Sequence, residues 1–230
     1  MKKIGLVGGT TPESTKVYYD LLIRGARKEG DDPLRNPVIL IYSVDLAELV
    51  EIQRSGERSD VVDYVADILE RLRVAGAEIG ALTANTPHAY LEEIRARTTL
   101  SLVSIVTATR DAASERRVER ALLLGTSTTM AAPMYPRELA EAGIELVVPN
   151  AEDRQFLDDT IYGELALGKV TPQVRNRVRD MCKRHMDQDR IDAVILGCTE
   201  LPLVITNQDL PIHVLDTAKI HAKAILAAAS

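Results

Sequence analysis

The sequence predicts an α/β protein made of two similar halves, each built on a mostly parallel sheet. Short β-branched runs alternate with long amphipathic stretches, which is the pattern of strands joined by crossover helices. Glycine turns close several of the runs. Two of these junctions recur: Val7-Gly8 matches Leu124-Gly125, 117 residues on, and the junction at Ala84 matches Cys198, 114 residues on. Residues 1–105 with about 210–230 are expected to form the first domain, and residues 106–209 the second.

The elements follow in order. Lys2–Val7 is a buried first strand, beginning almost at Met1, so no leader segment is expected. In GGTTPEST, Thr11 is placed to cap a helix with Pro12 at its first position, running to about Gly30. Val38–Ser43 is a strand, and Leu46–Arg54 and Asp60–Gly76 are helices. The latter carries Val61, Val65, Ile68, Leu69 and Leu72 at helical spacing. Ile79–Thr83 is a strand, Pro87–Arg97 a helix and Ser101–Ile105 a short strand. In the second half, Arg120–Leu124 is a strand, Met130–Ala142 a helix and Glu145–Val148 a strand. Helices follow over Asp153–Leu167 and Pro172–Gln188, strands over Ala193–Leu196 and Ile212–Leu215, and an Ala-rich helix from Thr217.

Composition excludes several function classes. Of 230 residues, 46% are hydrophobic, enough for a packed core. The net charge is −6 with scattered Lys and Arg, so no nucleic-acid footprint is present. One Phe and no Trp argue against base or sugar stacking. No run reaches the ~20 apolar residues of a membrane span. Cys182 and Cys198 form no CxxC pair, so a reducing cytoplasm is expected rather than a disulfide framework. The four His residues lack metal-ligand spacing, and no metal is expected.

Open α/β sheets place ligands at the carboxyl ends of their strands, where both glycine turns and both later junctions lie. GGTTPEST offers amides, hydroxyls and a helix N-terminus suited to a carboxylate or phosphate, or else a well-capped tight turn. It is neither GxGxxG nor a Walker loop. In Thr83-Ala84-Asn85-Thr86-Pro87-His88, Asn85 and Thr86 either hold a carboxylate or cap the helix. Leu196-Gly197-Cys198-Thr199-Glu200-Leu201 sets a cysteine on a Gly turn at a strand end. A helix starting there would lower the thiol pKa and make it a base at neutral pH; the alternative is a buried structural cysteine. Cys182, inside RVRDMCKRHM, reads as structural. Lys169 is a surface cation or the positive charge that an acidic substrate needs.

Taken together, GLVGGTTPEST, ANTPH, LLGTSTTM, IYGELALGK and LGCTEL resemble the aspartate/glutamate racemase family, over essentially the whole chain. The resemblance implies two pseudo-symmetric Rossmann-like α/β domains with an active site in the cleft between them. It also implies a homodimer, a small dicarboxylic amino acid as substrate, and no cofactor, in particular no pyridoxal phosphate. Family members invert the α-carbon with two cysteines, one removing the proton and the other returning it from the far side. By motif, Cys198 matches the second cysteine, which deprotonates the L-enantiomer. Asn85, Thr86, Thr126 and Thr199 match groups that hold the α-carboxylate, and Lys169 matches the cation for the side-chain carboxylate. Gly9, Thr10, Ser14 and Gln53 match pocket residues. The first cysteine is replaced by Ala84, with Thr83 beside it as a candidate second acid/base and His88 as a conceivable relay. One-thiol chemistry leaves three outcomes: racemisation, a one-face decarboxylation or elimination like that of the similarly folded arylmalonate decarboxylases, or dicarboxylate binding without turnover.

Overall fold

A computed structural model describes residues 1–29, 34 and 36–230. The chain divides into two compact units, residues 1–105 with 221–230, and residues 106–220.

In the first unit the order is β1 (Ile4–Gly8), α1 (Pro12–Glu29), β2 (Ile39–Ser43), α2 (Leu46–Ser55) and α3 (Arg58–Val74). Then come β3 (Ile79–Leu82), a 3-10 turn over Thr86–Tyr90, α4 (Leu91–Arg95) and β4 (Ser101–Val103). The expected end of α1 at Gly30 lies outside the described residues. The strands form a parallel sheet in the order β2-β1-β3-β4, as crossover helices require. β1 and β3 are buried throughout, as their unbroken apolar runs suggest. α3 turns Val61, Val65, Ile68, Leu69 and Leu72 inward, and each such buried side chain contributes about 1.5–3 kcal/mol. The single helix expected over Pro87–Arg97 is instead the 3-10 turn followed by α4.

The second unit contains α5 (Ile105–Glu115, whose first residue still belongs to the first unit), β5 (Arg120–Leu124), α6 (Ser127–Ala131), α7 (Met134–Glu141) and β6 (Glu145–Val147). These are followed by α8 (Ala151–Gly163), a 3-10 turn over Leu165–Leu167, α9 (Pro172–Asp189) and β7 (Ala193–Leu196). A 3-10 turn over Leu201–Leu203, β8 (His213–Asp216) and α10 (Thr217–Ala229) complete the chain. Its sheet is parallel in the order β6-β5-β7-β8, which repeats the first strand for strand. β8 is hydrogen-bonded to β7, so the chain re-enters the first unit at His221 rather than near residue 210.

Two further expectations are corrected. Ile105 opens α5 rather than ending a strand, and α5 itself was not anticipated. The helix expected over Met130–Ala142 is broken, because Ala132 precedes Pro133 and is forced into the extended region at ψ 140°. Among the described residues no helix is long and apolar enough to cross a membrane.

Candidate active site

In the first unit the carboxyl ends of β1, β2 and β3 are tied together. Val44 N–H donates to the Gly8 carbonyl (3.0 Å), and Thr83 N–H donates to the Val7 carbonyl (3.0 Å). Ser14, buried on α1, donates its hydroxyl to the Thr83 carbonyl at 2.5 Å. Gly9 has φ +86°, and a Cβ there would lie 2.4 Å from the Val44 nitrogen, so the turn requires glycine. Its N–H donates to Thr15 Oγ1 at 2.9 Å. Thr10 is half-buried beside it.

The turn after β3 holds the residues expected to matter. Thr83 is 1% exposed, and its hydroxyl donates to the Val7 carbonyl at 3.1 Å. Ala84 is half-buried. Asn85 is buried at the start of the 3-10 turn without capping it through its side chain, and Thr86 is half-buried. His88 is buried, with Nδ1 2.8 Å from the Ala84 carbonyl, and Ile105 N–H donates to Nε2 at 3.1 Å. Nε2 therefore accepts, so the ring proton sits on Nδ1 and is donated to Ala84. Burial, reinforced by nearby His221, holds the His88 pKa down at about 3, so the ring stays neutral. Gln53 is an exposed residue of α2, with no bond to these turns among the described residues.

In the second unit the matching turns follow β5 and β7. Gly197 N–H donates to the Leu124 carbonyl at 2.7 Å, and a Cβ at Gly197 would come 3.0 Å from that oxygen. Glycine lets the two turns approach. Thr126 caps α6, accepting from Thr129 N–H, and Tyr162 of α8 lies near it. One turn earlier on α8, Asp158 accepts the Ser127 N–H at 2.8 Å.

Cys198 is half-buried, with Sγ 2.8 Å from Glu200 Oε2. The same oxygen accepts the Thr199 hydroxyl at 3.0 Å, and Glu200 is 5% exposed. The thiol is not acidified as a helix N-terminus would make it, because only the three-residue 3-10 turn follows. Burial pushes its pKa well above the ordinary value, and the Glu200 carboxylate adds to this, while the Glu200 and Thr199 backbone bonds offset part. Cys198 therefore rests as a protonated thiol against a carboxylate. Cys182 is buried in α9, where burial raises its pKa to about 12.

Lys169 is exposed, following Gly168 in the left-handed region at φ +71°. Among the described residues it has no side-chain bond to the turns of its unit. Sequence reasoning passed over Glu200, Asp158 and Tyr162. Glu200 was visible as an acid inside an apolar motif, and Asp158 and Tyr162 as an i, i+4 pair on one helix face. The described residues include no cluster of three or more His, Cys, Asp or Glu disposed to hold a metal.

Known proteins agree with this architecture. The family model described as Asp/Glu/Hydantoin racemase matches residues 7–225. The chain is 22% identical to the broad specificity amino-acid racemase RacX of Bacillus subtilis, covering 96% of this chain and 95% of that protein. An aspartate racemase homologue from Pyrococcus horikoshii OT3 superposes with a TM-score of 0.90 at 37% identity, covering 100% of this chain and 99% of the other. A putative Asp/Glu racemase from Yersinia pestis gives 0.92 at 32% identity, with the same coverage. With two parallel sheets of the same strand order and a family match along nearly its whole length, the chain belongs to the Asp/Glu/Hydantoin racemase family of isomerases.

Proposed function

We propose that the protein racemises a small dicarboxylic amino acid without a cofactor, with Cys198 as its thiol acid/base and Glu200 as the group that takes the thiol proton. The observation that carries this is the 2.8 Å contact from Cys198 Sγ to Glu200 Oε2 at the end of β7. A thiol whose pKa is raised is a poor base until its proton leaves, and the buried carboxylate is placed to accept it. The S–H bond then breaks as an O–H bond forms on Glu200. The thiolate removes the α-proton, and the Cα–H electron pair passes into the α-carboxylate. Reprotonation on the same face restores the substrate, whereas inversion needs a protic group on the other face. Of the residues in the matching turn, Ala84 has none, and the Thr83 hydroxyl must leave the Val7 carbonyl first, so Thr83 or a water serves and turnover is slow. Asn85, Thr86, Thr126 and Thr199 hold the α-carboxylate, with Gly9, Thr10, Ser14 and Gln53 around it. Lys169 pairs with the second carboxylate, and the working form is a homodimer in the cytoplasm.

Ala84 also favours a second reading, a one-face enzyme that needs a single thiol. Pure L- and D-aspartate and L- and D-glutamate in deuterated water separate the two. Racemisation gives inverted product carrying α-deuterium, and Cys198→Ser lowers the rate by about 10²–10⁴-fold. Exchange without inversion in one enantiomer supports the second reading, and full activity of Cys198→Ser overturns both.

A further inference from the structure

We propose that His88 is a positioning residue that fixes the turn Ala84–Thr86 by donating its Nδ1 proton to the Ala84 carbonyl; this rests on the reading of Asn85 and Thr86 as substrate-holding groups. The turn is closed by two bonds from this one residue. Its backbone N–H donates to the Asn85 carbonyl at 3.0 Å, and its ring reaches back to Ala84 at 2.8 Å. The peptide units on either side of Asn85 are thereby held, and with them the direction in which Asn85 and Thr86 leave the backbone.

The ring is itself held by two neighbours. Ile105 N–H, an orphan donor at the start of α5, is satisfied by Nε2 and fixes the tautomer. The His221 ring stands edge-on to it, with centroids 5.7 Å apart. His221 accepts the Tyr18 hydroxyl at Nδ1 (2.9 Å) and donates from Nε2 to the Val103 carbonyl (2.9 Å). α1 and the end of β4 thus fix the His221 ring of α10, which stands against the His88 imidazole, and the remaining ring bond of His88 is to the site turn. A histidine kept only for packing needs no such fixed tautomer, and a leucine would fill the volume.

Side-chain amides separate the two ring bonds. Asn at position 88 can keep a donor near the Nδ1 position, and Gln can keep an acceptor near Nε2. His88→Leu is expected to lower kcat/KM for aspartate or glutamate exchange by about 100-fold, as for a displaced binding group. His88→Asn is expected to recover most of this loss and His88→Gln little. A Leu variant with wild-type kcat and KM overturns the proposal, as does rescue by Gln but not Asn, or by both equally. Should the Leu variant fail to fold, the Asn–Gln comparison still decides. Long-range ¹H–¹⁵N spectra of the wild-type imidazole give a readout independent of turnover: an Nδ1–H tautomer is expected, and Nε2–H overturns the proposal. Wild-type protein that neither exchanges nor inverts these amino acids would instead defeat the functional reading, leaving the tautomer to be judged alone.

Discussion

The turns after β3 and β7 share one backbone frame and differ in chemistry. Leu82 is in register with Val7, and Leu196 with Leu124. The next residue then donates its N–H back to the neighbouring strand, Thr83 to Val7 and Gly197 to Leu124. Thr83 therefore corresponds to Gly197, and Ala84 to Cys198. In the second unit, glycine leaves room beside the strand end, and the following thiol meets a buried acid two residues on. In the first unit, the threonine hydroxyl takes the spare capacity of the Val7 carbonyl, and His88 takes that of Ala84. The comparison teaches that a repeat can preserve backbone geometry while one turn carries the reactive group and the other is built to hold still.

Acid should expose this asymmetry most strongly. The first unit contains two buried neutral histidines, His88 with its pKa near 3 and His221 with its pKa near 4, both depressed chiefly by burial. Their surroundings include Tyr18, Arg95 and each other, and among the described residues no carboxylate is bonded to either ring. At His88's matching place, 114 residues on, stands Pro202. The sign follows from linkage. In the unfolded chain these rings take protons once the pH drops below about 6.5, whereas the folded ones resist until about 3 to 4. Stability is thus unaffected above about pH 6.5 and falls as the pH drops from there towards 3 to 4, by up to about 1.4 kcal/mol per pH unit for each histidine. Hydrogen exchange at pH 7 and pH 5 should show β1 and β3 losing protection before β5 and β7. Equal losses in both sheets would break the comparison.

Glu200→Gln tests the chemical side. Removing the carboxylate charge removes one cause of the raised thiol pKa, so the midpoint of Cys198 alkylation by iodoacetamide should move to lower pH. Amino-acid exchange should nonetheless fall by about 100-fold, because the proton acceptor is gone. A more reactive thiol with lower turnover is the signature. An unchanged exchange rate would remove Glu200 from the mechanism.

The same asymmetry explains what could be read from the sequence. Strands were legible because they are short apolar runs ended by glycine, and the repeat followed from the spacing of those ends. α5 was not, since its buried face is Ile105, Val106, Thr109, Ala112 and Ala113, too weakly apolar and too rich in β-branched residues to read as a helix. Cys198 was visible by its place on a turn. The direction of its pKa shift was not, because that depends on burial of the thiol, with the Glu200 carboxylate folded back beside it, rather than on the helix that the motif suggested. His221 gave no local signal at all: its partners, Tyr18 and Val103, lie 203 and 118 residues away along the chain.

Ala84→Cys is the smallest step and the sharpest test of the register. It restores a thiol at the position equivalent to Cys198 while leaving Thr83 on Val7 and His88 on the Ala84 carbonyl, both of which are independent of the residue 84 side chain. Position 84 is half-buried, so a thiol there needs no opening of the core. If racemisation is slow for want of a second thiol, inversion should gain about tenfold, and equally in kcat/KM from either enantiomer because the two have the same free energy. The measurement is the initial rate of inversion from each pure enantiomer in deuterated water. A gain in inversion from both enantiomers would place the second acid/base at position 84. The absence of any gain, with the variant folded, would leave Thr83 or a one-face reaction as the better account of a turn that shares its frame with Cys198 but not its thiol.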